Sequence, residues 1–226
     1  MSTLLRRGFA NRFVLIVMAA ALAAGAGLYA AQRYFATATP TLAAAAAQAP
    51  GARLASVRLI DPPRELPDFR LTLSDGSALS SETLRGHWTI VFLGFTHCPD
   101  VCPTTLAELS KAQHAWQSIA PATRPRILFV TADPERDTPT VTGQFAHFFS
   151  PDTLAASGTQ AEVAAFAQAL GLVFMKVPLA NGDYTMDHSA TLVVLGPDGR
   201  QAGLIRPPLA WNAIAEDLRR LADGSR

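Results

Sequence analysis

The chain has two cysteines, and they lie four residues apart in the segment FLGFTHCPDVCP, residues 92–103. A proline stands between Cys98 and Cys102, and Pro103 follows directly. Proline lacks a backbone N–H and therefore fits the first turn of a helix, which places Cys102 close to a helix start. Free N–H groups at a helix start stabilise thiolates, and thiolates are both the nucleophiles of disulfide exchange and ligands of soft metals. The pair is therefore predicted to be reactive rather than an inert part of a core.

The spacing of the pair leaves disulfide and metal chemistry both open. Residues four apart on a turn lie about 6 Å apart, which is within the range that a disulfide can bridge. A structural zinc site normally has four ligands, so two cysteines would need further partners. Two thiolates with one imidazole form a soft set of three donors, which suits Cu(I) and, with adjustment, Cu(II).

His188 is the best candidate for the imidazole. It lies in YTMDHSATLVV, where we predict a loop that leads into a buried strand, and Asp187 beside it could orient the ring. The other histidines have simpler explanations. His97 is adjacent to Cys98, His87 lies at a strand entry, and His114 and His147 lie on predicted helices.

The elements around these residues alternate between strands and helices. Continuous apolar runs at 88–95 and 126–132 predict buried strands, and alternating segments with Gly-containing turns predict hairpins at 69–79 and 189–206. Helical spacing or helix-end signals mark 104–120, 140–149, 160–171 and 208–222. This order predicts a central mixed sheet with helices on both faces, an α/β fold. Reactive thiols that follow a buried strand and open a helix are typical of a thioredoxin-like fold.

The N-terminus predicts a membrane anchor. Residues 13–31 contain no charge and could span roughly 28 Å as a helix. Arg6, Arg7 and Arg12 precede this run, which favours a cytoplasmic N-terminus at residues 1–12 and an exported remainder; a cleaved signal peptide is the alternative. An Ala/Pro-rich tether is predicted over 32–58, followed by one folded domain over 59–226. The formal net charge of +1 gives no indication of a nucleic-acid partner.

Three segments together resemble the Sco/SenC family of copper-binding proteins: GFTHCPDVCPTTLAEL, TADPERDTP and YTMDHSATLVVLGPDG. The resemblance covers roughly residues 60–224. It implies a thioredoxin-like fold and one copper ion per domain, with Cys98, Cys102 and His188 as the metal ligands. One small departure is Met186, where Val is expected before the Asp-His pair.

The resemblance also implies a biological role. Proteins of this family act in assembly of cytochrome c oxidase, where they help to mature the binuclear copper centre (CuA) of subunit II. A single-pass protein of a bacterial inner membrane is then expected, with its C-terminal domain in the periplasm and a periplasmic copper donor or thiol reductant as a further partner.

Two functions stay open on the sequence alone. The first is a copper metallochaperone, which uses both cysteines and His188. The second is a thiol–disulfide reductase that keeps the CuA cysteines reduced, and it needs only Cys98 and Cys102 as a redox-active pair. Away from the cysteines no set of nucleophile, base and orienting group is visible, so a conventional enzyme is not expected. The segment DPERDTP, residues 133–139, is predicted to cap a helix, and Asp133 and Arg136 could pair to brace the neighbouring loop.

Overall fold

The computed structural model describes residues 4–37 and 54–224. The chain divides into two units, Met1–Ala52 and Arg53–Arg226, which are described separately. In the first unit, helix α1 covers Leu4–Thr37 and includes an apolar stretch, Ile16–Arg33, that is long enough to cross a membrane. A signal sequence near the N-terminus can meet the same criteria of length and composition. The predicted tether begins within α1 and ends within the first strand of the second unit, and residues 38–53 lie outside the described part of the chain.

The described part of the second unit contains strands and helices in alternation. The strands are β1 Val57–Arg64, β2 Leu71–Leu73, β3 Ala78–Leu79, β4 Thr89–Gly94, β5 Arg126–Thr131, β6 Leu154–Ser157, β7 Phe174–Pro178, β8 Tyr184–His188, β9 Leu192–Leu195 and β10 Gln201–Ile205. The helices are α2 Val101–Ala115, α3 Pro139–Phe149, α4 Gln160–Ala169 and α5 Trp211–Gly224, with a 3₁₀ turn at Trp116–Ser118.

Eight of these strands form one mixed sheet in the order β1-β10-β9-β4-β5-β6-β2-β3. Strands β4, β5 and β6 run parallel to one another, whereas the outer pairs are antiparallel. The remaining two strands, β7 and β8, form a separate antiparallel hairpin. This hairpin carries His188 at its end, so the histidine is held by a small unit outside the main sheet.

The sheet has an apolar core on each face because the side chains of its buried strands alternate in direction. Ile90 and Phe92 of β4 pack into a cluster with α2 and α5, while Val91 and Leu93 pack into a second cluster with α4. Each fully buried side chain of this size contributes about 1.5–3 kcal/mol relative to exposure. Burial on both faces explains why β4 is a continuous apolar run, and it fixes the strand end that leads to the cysteines.

The predicted hairpins and buried strands are confirmed, but four strands were not predicted from the sequence. β1 contains two prolines and is mostly exposed, and β6 is a short Ala-rich strand, so neither has a strong pattern. The prediction that His188 lies in a loop is wrong, because Tyr184–His188 pairs with Phe174–Pro178 in the hairpin of β7 and β8. Cross-strand pairing supplies the hydrogen bonds that the local pattern does not indicate.

A buried carboxylate fastens the start of the folded domain. Asp217 of α5 accepts hydrogen bonds from the backbone N–H groups of Ala55, Ser56 and Val57 at 3.0, 2.7 and 3.0 Å. Burial opposes ionisation of this carboxyl group, but the donors outweigh burial and the pKa of Asp217 is lowered.

We expect Asp217→Asn to reduce the free energy of unfolding by about 1–3 kcal/mol, because one buried oxygen acceptor is replaced by an amide donor. The effect is measured by urea unfolding at pH 7. Since the folded pKa is lowered, the stabilisation from Asp217 is present above its ordinary pKa of 3.8 and is lost as the pH falls through the folded value. The wild-type and variant stabilities should therefore converge in acid. A constant difference down to pH 2 would contradict this assignment.

Candidate metal centre

The two cysteines lie at the junction between β4 and α2. Cys98 is in the connecting loop and is partly exposed, whereas Cys102 is the second residue of α2 and is fully buried. Neither cysteine is in a disulfide. Cys98 is therefore the more accessible of the two cysteines to solvent, and Cys102 is packed in the core.

The first turn of α2 directs a backbone donor at the exposed cysteine. The N–H of Cys102 donates to Sγ of Cys98 at 3.3 Å. The prediction that Cys102 lies close to a helix start is confirmed, and the sulfur that accepts the N–H of the first turn is that of Cys98. Burial has the opposite influence on Cys102, since it raises the pKa of that thiol well above the ordinary value of 9.0; a hydrogen bond from the Phe95 backbone only partly offsets this effect.

Gly94 allows the close approach of Cys102 to the end of β4. A Cβ at this position would lie 2.9 Å from Sγ of Cys102 and 2.8 Å from Cε2 of Phe129. Both distances are too short for real carbon contacts, so any side chain here would displace the sulfur or the ring. No role for Gly94 was predicted from the sequence, although a glycine at the end of a buried strand is a signal of close backbone approach.

We expect Gly94→Ala to lower the free energy of unfolding by about 1–3 kcal/mol through overpacking. Urea unfolding of the metal-free protein measures the loss. Gly224→Ala is the matched control, because no atom lies within 4 Å of a Cβ built there. Equal stability of the two variants would show that Gly94 is not required for packing of the Cys102 sulfur.

His188 ends β8 with its ring between aromatic side chains and the cysteines. The ring lies edge-on to Phe92 and Phe95, with centroids 6.2 and 5.9 Å away. Nε2 is 3.5 Å from Sγ of Cys102, and Nδ1 is 3.2 Å from the carbonyl oxygen of Ser189. Because a carbonyl only accepts, this contact favours the tautomer with hydrogen on Nδ1 and a lone pair on Nε2 facing the sulfur.

Asp187 does not orient this ring, in contrast to the prediction. Neighbouring residues of a strand point to opposite faces, and Asp187 is exposed on the face that it shares with its pairing partner Met175. The Ser189 carbonyl holds the position next to Nδ1 instead. Adjacent side chains can converge in a loop, but in a strand such as β8 they diverge.

The structure brings together the three predicted donors. Sγ of Cys98, Sγ of Cys102 and Nε2 or Nδ1 of His188 all lie within 4.8 Å of one another. Among the described residues, no other group of three or more His, Cys, Asp or Glu side chains meets this condition. Two sulfurs and one imidazole nitrogen form a soft donor set that fits a copper ion better than a closed zinc site with four ligands.

Three of the four remaining described histidines contact other groups, and the fourth, His114, is exposed on α2. His87 and His147 each contact a backbone carbonyl, of Arg124 and Thr153 respectively. His97 is exposed and contacts the Thr96 hydroxyl, with Asp137 3.7 Å away. Their predicted exclusion from the donor set is consistent with these contacts.

Comparison with known proteins agrees with this geometry. The family model for SCO1/SenC matches residues 58–223, which is most of the chain. The chain belongs to the SCO1/SenC family. The fold of the second unit is the thioredoxin-like α/β fold of Sco proteins, as predicted.

Three relatives show how far the likeness to the SCO1/SenC family extends. A Stutzerimonas stutzeri protein is 34% identical over 174 residues, covering 76% of this chain and 84% of the relative. The solved structure of Bradyrhizobium japonicum ScoI with copper bound is 36% identical, with a TM-score of 0.63 over 69% of this chain and 98% of that one. Mitochondrial relatives are longer, and the match to the human SCO1 homolog covers 44% of that protein at 34% identity.

Proposed function

We propose that this protein is a membrane-anchored periplasmic copper metallochaperone that helps to mature the CuA centre of cytochrome c oxidase subunit II. The observation that carries the proposal is the cluster of Cys98, Cys102 and His188, whose donor atoms lie within 4.8 Å of one another. The copper-bound structure of the Bradyrhizobium relative supports copper as the ion. Family membership supports the role in oxidase assembly.

The three residues contribute differently to copper binding. Cys98 is partly exposed, so it can make the first contact with an incoming ion. Cys102 is buried and must lose its proton to bind, while His188 offers Nε2 from a ring already oriented by Ser189. Copper bound by three ligands retains room for a ligand from the partner, which permits transfer by exchange of one ligand at a time.

Helix α1 supports the membrane location. Its apolar stretch Ile16–Arg33 has the length of a membrane span, and three arginines, Arg6, Arg7 and Arg12, precede it. The excess of positive charge on that side favours a cytoplasmic N-terminus and a single pass. The domain that carries Cys98 and Cys102 then faces the periplasm, where a copper donor or a thiol reductant would meet it.

A thiol–disulfide reductase is the second candidate function, favoured by the two free thiols at the start of α2. In that reaction Cys98 and Cys102 form a disulfide, and two electrons and two protons convert a partner disulfide to two thiols. This chemistry requires both cysteines but not His188.

Gene deletion and complementation distinguish these functions. The deletion strain is assayed for oxidase activity with and without added copper, and is complemented with wild type, His188→Ala or Cys98→Ser. For a metallochaperone, both variants fail and added copper restores activity in the deletion strain. For a reductase, His188→Ala complements fully and copper does not rescue the deletion. Full activity in the deletion strain without copper would refute both functions.

A further inference from the structure

The segment Asp133–Asp137, between β5 and α3, contacts both of the elements that carry the metal donors. One set of contacts reaches the loop before Cys98, and another reaches the hairpin of β7 and β8. The predicted local pair between Asp133 and Arg136 is present. The contact with the hairpin was not predicted.

The first set of contacts holds the cysteine loop. The carboxylate of Asp137 is fully buried and accepts hydrogen bonds from the backbone N–H of Thr96 at 2.9 Å and from its hydroxyl at 2.6 Å. The hydroxyl of Thr131, at the end of β5, donates to the same carboxylate at 2.7 Å. Asp137 therefore ties the start of the loop to the main sheet two residues before Cys98.

The second set of contacts holds the histidine hairpin. The hydroxyl of Tyr184 donates to Asp133 at 3.0 Å, and Nη1 of Arg136 donates to the Tyr184 carbonyl at 3.2 Å. The Arg136 guanidinium also lies 3.8 Å from the centre of the Tyr184 ring. Asp133 is 1% exposed, so these contacts form in a poorly hydrated place where hydrogen bonds to a charged group are strong.

A short stretch of backbone joins Tyr184 to His188. Both residues lie on β8, at its first and last positions, and their side chains point to the same face. In the described part of the chain β8 pairs only with β7, and not with the main sheet. Met186 in the middle of β8 is buried, and Phe174 and Tyr184 of the hairpin pack against the same core cluster, but apolar packing alone does not fix the direction of the strand.

We propose that Asp133, Arg136 and Tyr184 are positioning residues that hold His188 at the distance from the cysteines required for it to act as the third ligand. The inference rests on the proposed copper site and goes further, since it assigns a role to residues that do not touch the metal. Loss of this positioning should affect the affinities for Cu(I) and Cu(II) differently. Two thiolates alone can retain Cu(I), whereas Cu(II) depends more on the imidazole. Loosening the hairpin should therefore weaken Cu(II) binding more than Cu(I) binding.

The test compares Tyr184→Phe and Asp133→Asn with wild type in the intact protein. Tyr184→Phe removes only the hydroxyl, and Asp133→Asn retains the shape of the side chain. We expect each variant to weaken Cu(II) binding by about tenfold, the size seen when a residue that orients a ligand is lost, and Cu(I) binding by less than about twofold. The charge-transfer absorption of the Cu(II) form should shift as the imidazole contact weakens. In the metal-free protein, amide hydrogen exchange should accelerate in 184–188 and stay unchanged in 89–94.

The control is Asp217→Asn, which removes a different buried carboxylate that binds the backbone of residues 55–57. It should lower stability without changing the ratio of Cu(II) to Cu(I) affinity. Variants with the wild-type ratio and wild-type exchange in 184–188 would overturn the positioning role, even if wild type binds copper as proposed. If wild type binds no copper, the proposed function fails, and hydrogen exchange in the metal-free protein still decides whether these residues hold the hairpin.

Discussion

Replacement of Cys102 by serine is expected to abolish stoichiometric copper binding. Serine retains the size of the side chain, but its hydroxyl is a hard donor that does not ionise near neutral pH. The position is fully buried, so water cannot easily supply a replacement ligand. We expect a loss of affinity greater than about 100-fold, beyond the range for residues that only orient a ligand. Competition titration against a copper chelator of known affinity measures it.

A folded variant is needed for this result to be informative. Cys102→Ser changes one buried atom, so we expect the far-ultraviolet circular dichroism and a cooperative urea transition to be retained. Thr104→Ser is a matched control on the same helix, because it keeps the hydroxyl that contacts Asp100. Wild-type copper affinity in folded Cys102→Ser would exclude Cys102 as a ligand. Loss of affinity in Thr104→Ser would show that the start of α2, rather than the sulfur, is responsible.

Copper affinity is expected to rise steeply with pH. Burial raises the pKa of Cys102, so this thiol is protonated in the metal-free protein throughout the neutral range. Copper binds the thiolate and must displace that proton, which makes the apparent affinity increase by about tenfold per pH unit for each proton released. The sign follows from the raised pKa: the thiol stays protonated across this range, and the protons that compete with copper become more concentrated as the pH falls.

Titrations at pH 6, 7 and 8, each against a competitor corrected for its own protonation, measure this slope. Isothermal titration calorimetry in two buffers of different ionisation enthalpy counts the released protons independently. In Cys102→Ser the contribution from this thiol should disappear from any residual binding. A wild-type affinity that is constant between pH 6 and 8, with no proton released, would contradict a buried thiol at Cys102 as the group that copper deprotonates.

Much of the site could be predicted from sequence because its strongest signals are local. The apolar run at 88–95 predicts a strand, and the proline after Cys102 predicts a helix start. The structure contains both, with a loop between them. His188 is different, since it is 86 residues beyond Cys102 and its approach depends on how the chain folds back. Its place before a predicted buried strand made it the best candidate for the imidazole, and the resemblance to a known family then implied it as a ligand.

The errors arose where long-range pairing determines the local structure. Asp187 was assigned to the imidazole because the two residues are adjacent, but pairing of β8 with β7 turns their side chains to opposite faces. The contacts of Asp133 and Arg136 with Tyr184 were missed for the same reason, because the partners are some 50 residues apart in sequence. A hairpin that lies outside the main sheet leaves little trace in the pattern of apolar residues.

The measurement that tests the central claim most directly is X-ray absorption spectroscopy of the copper-loaded protein and of His188→Ala. For wild type, the copper edge and extended fine structure should show two sulfur ligands and one imidazole nitrogen. In His188→Ala, the imidazole contribution should be lost while both sulfurs remain. If the two spectra are the same, or if wild type shows no sulfur ligand, Cys98, Cys102 and His188 do not form the copper site.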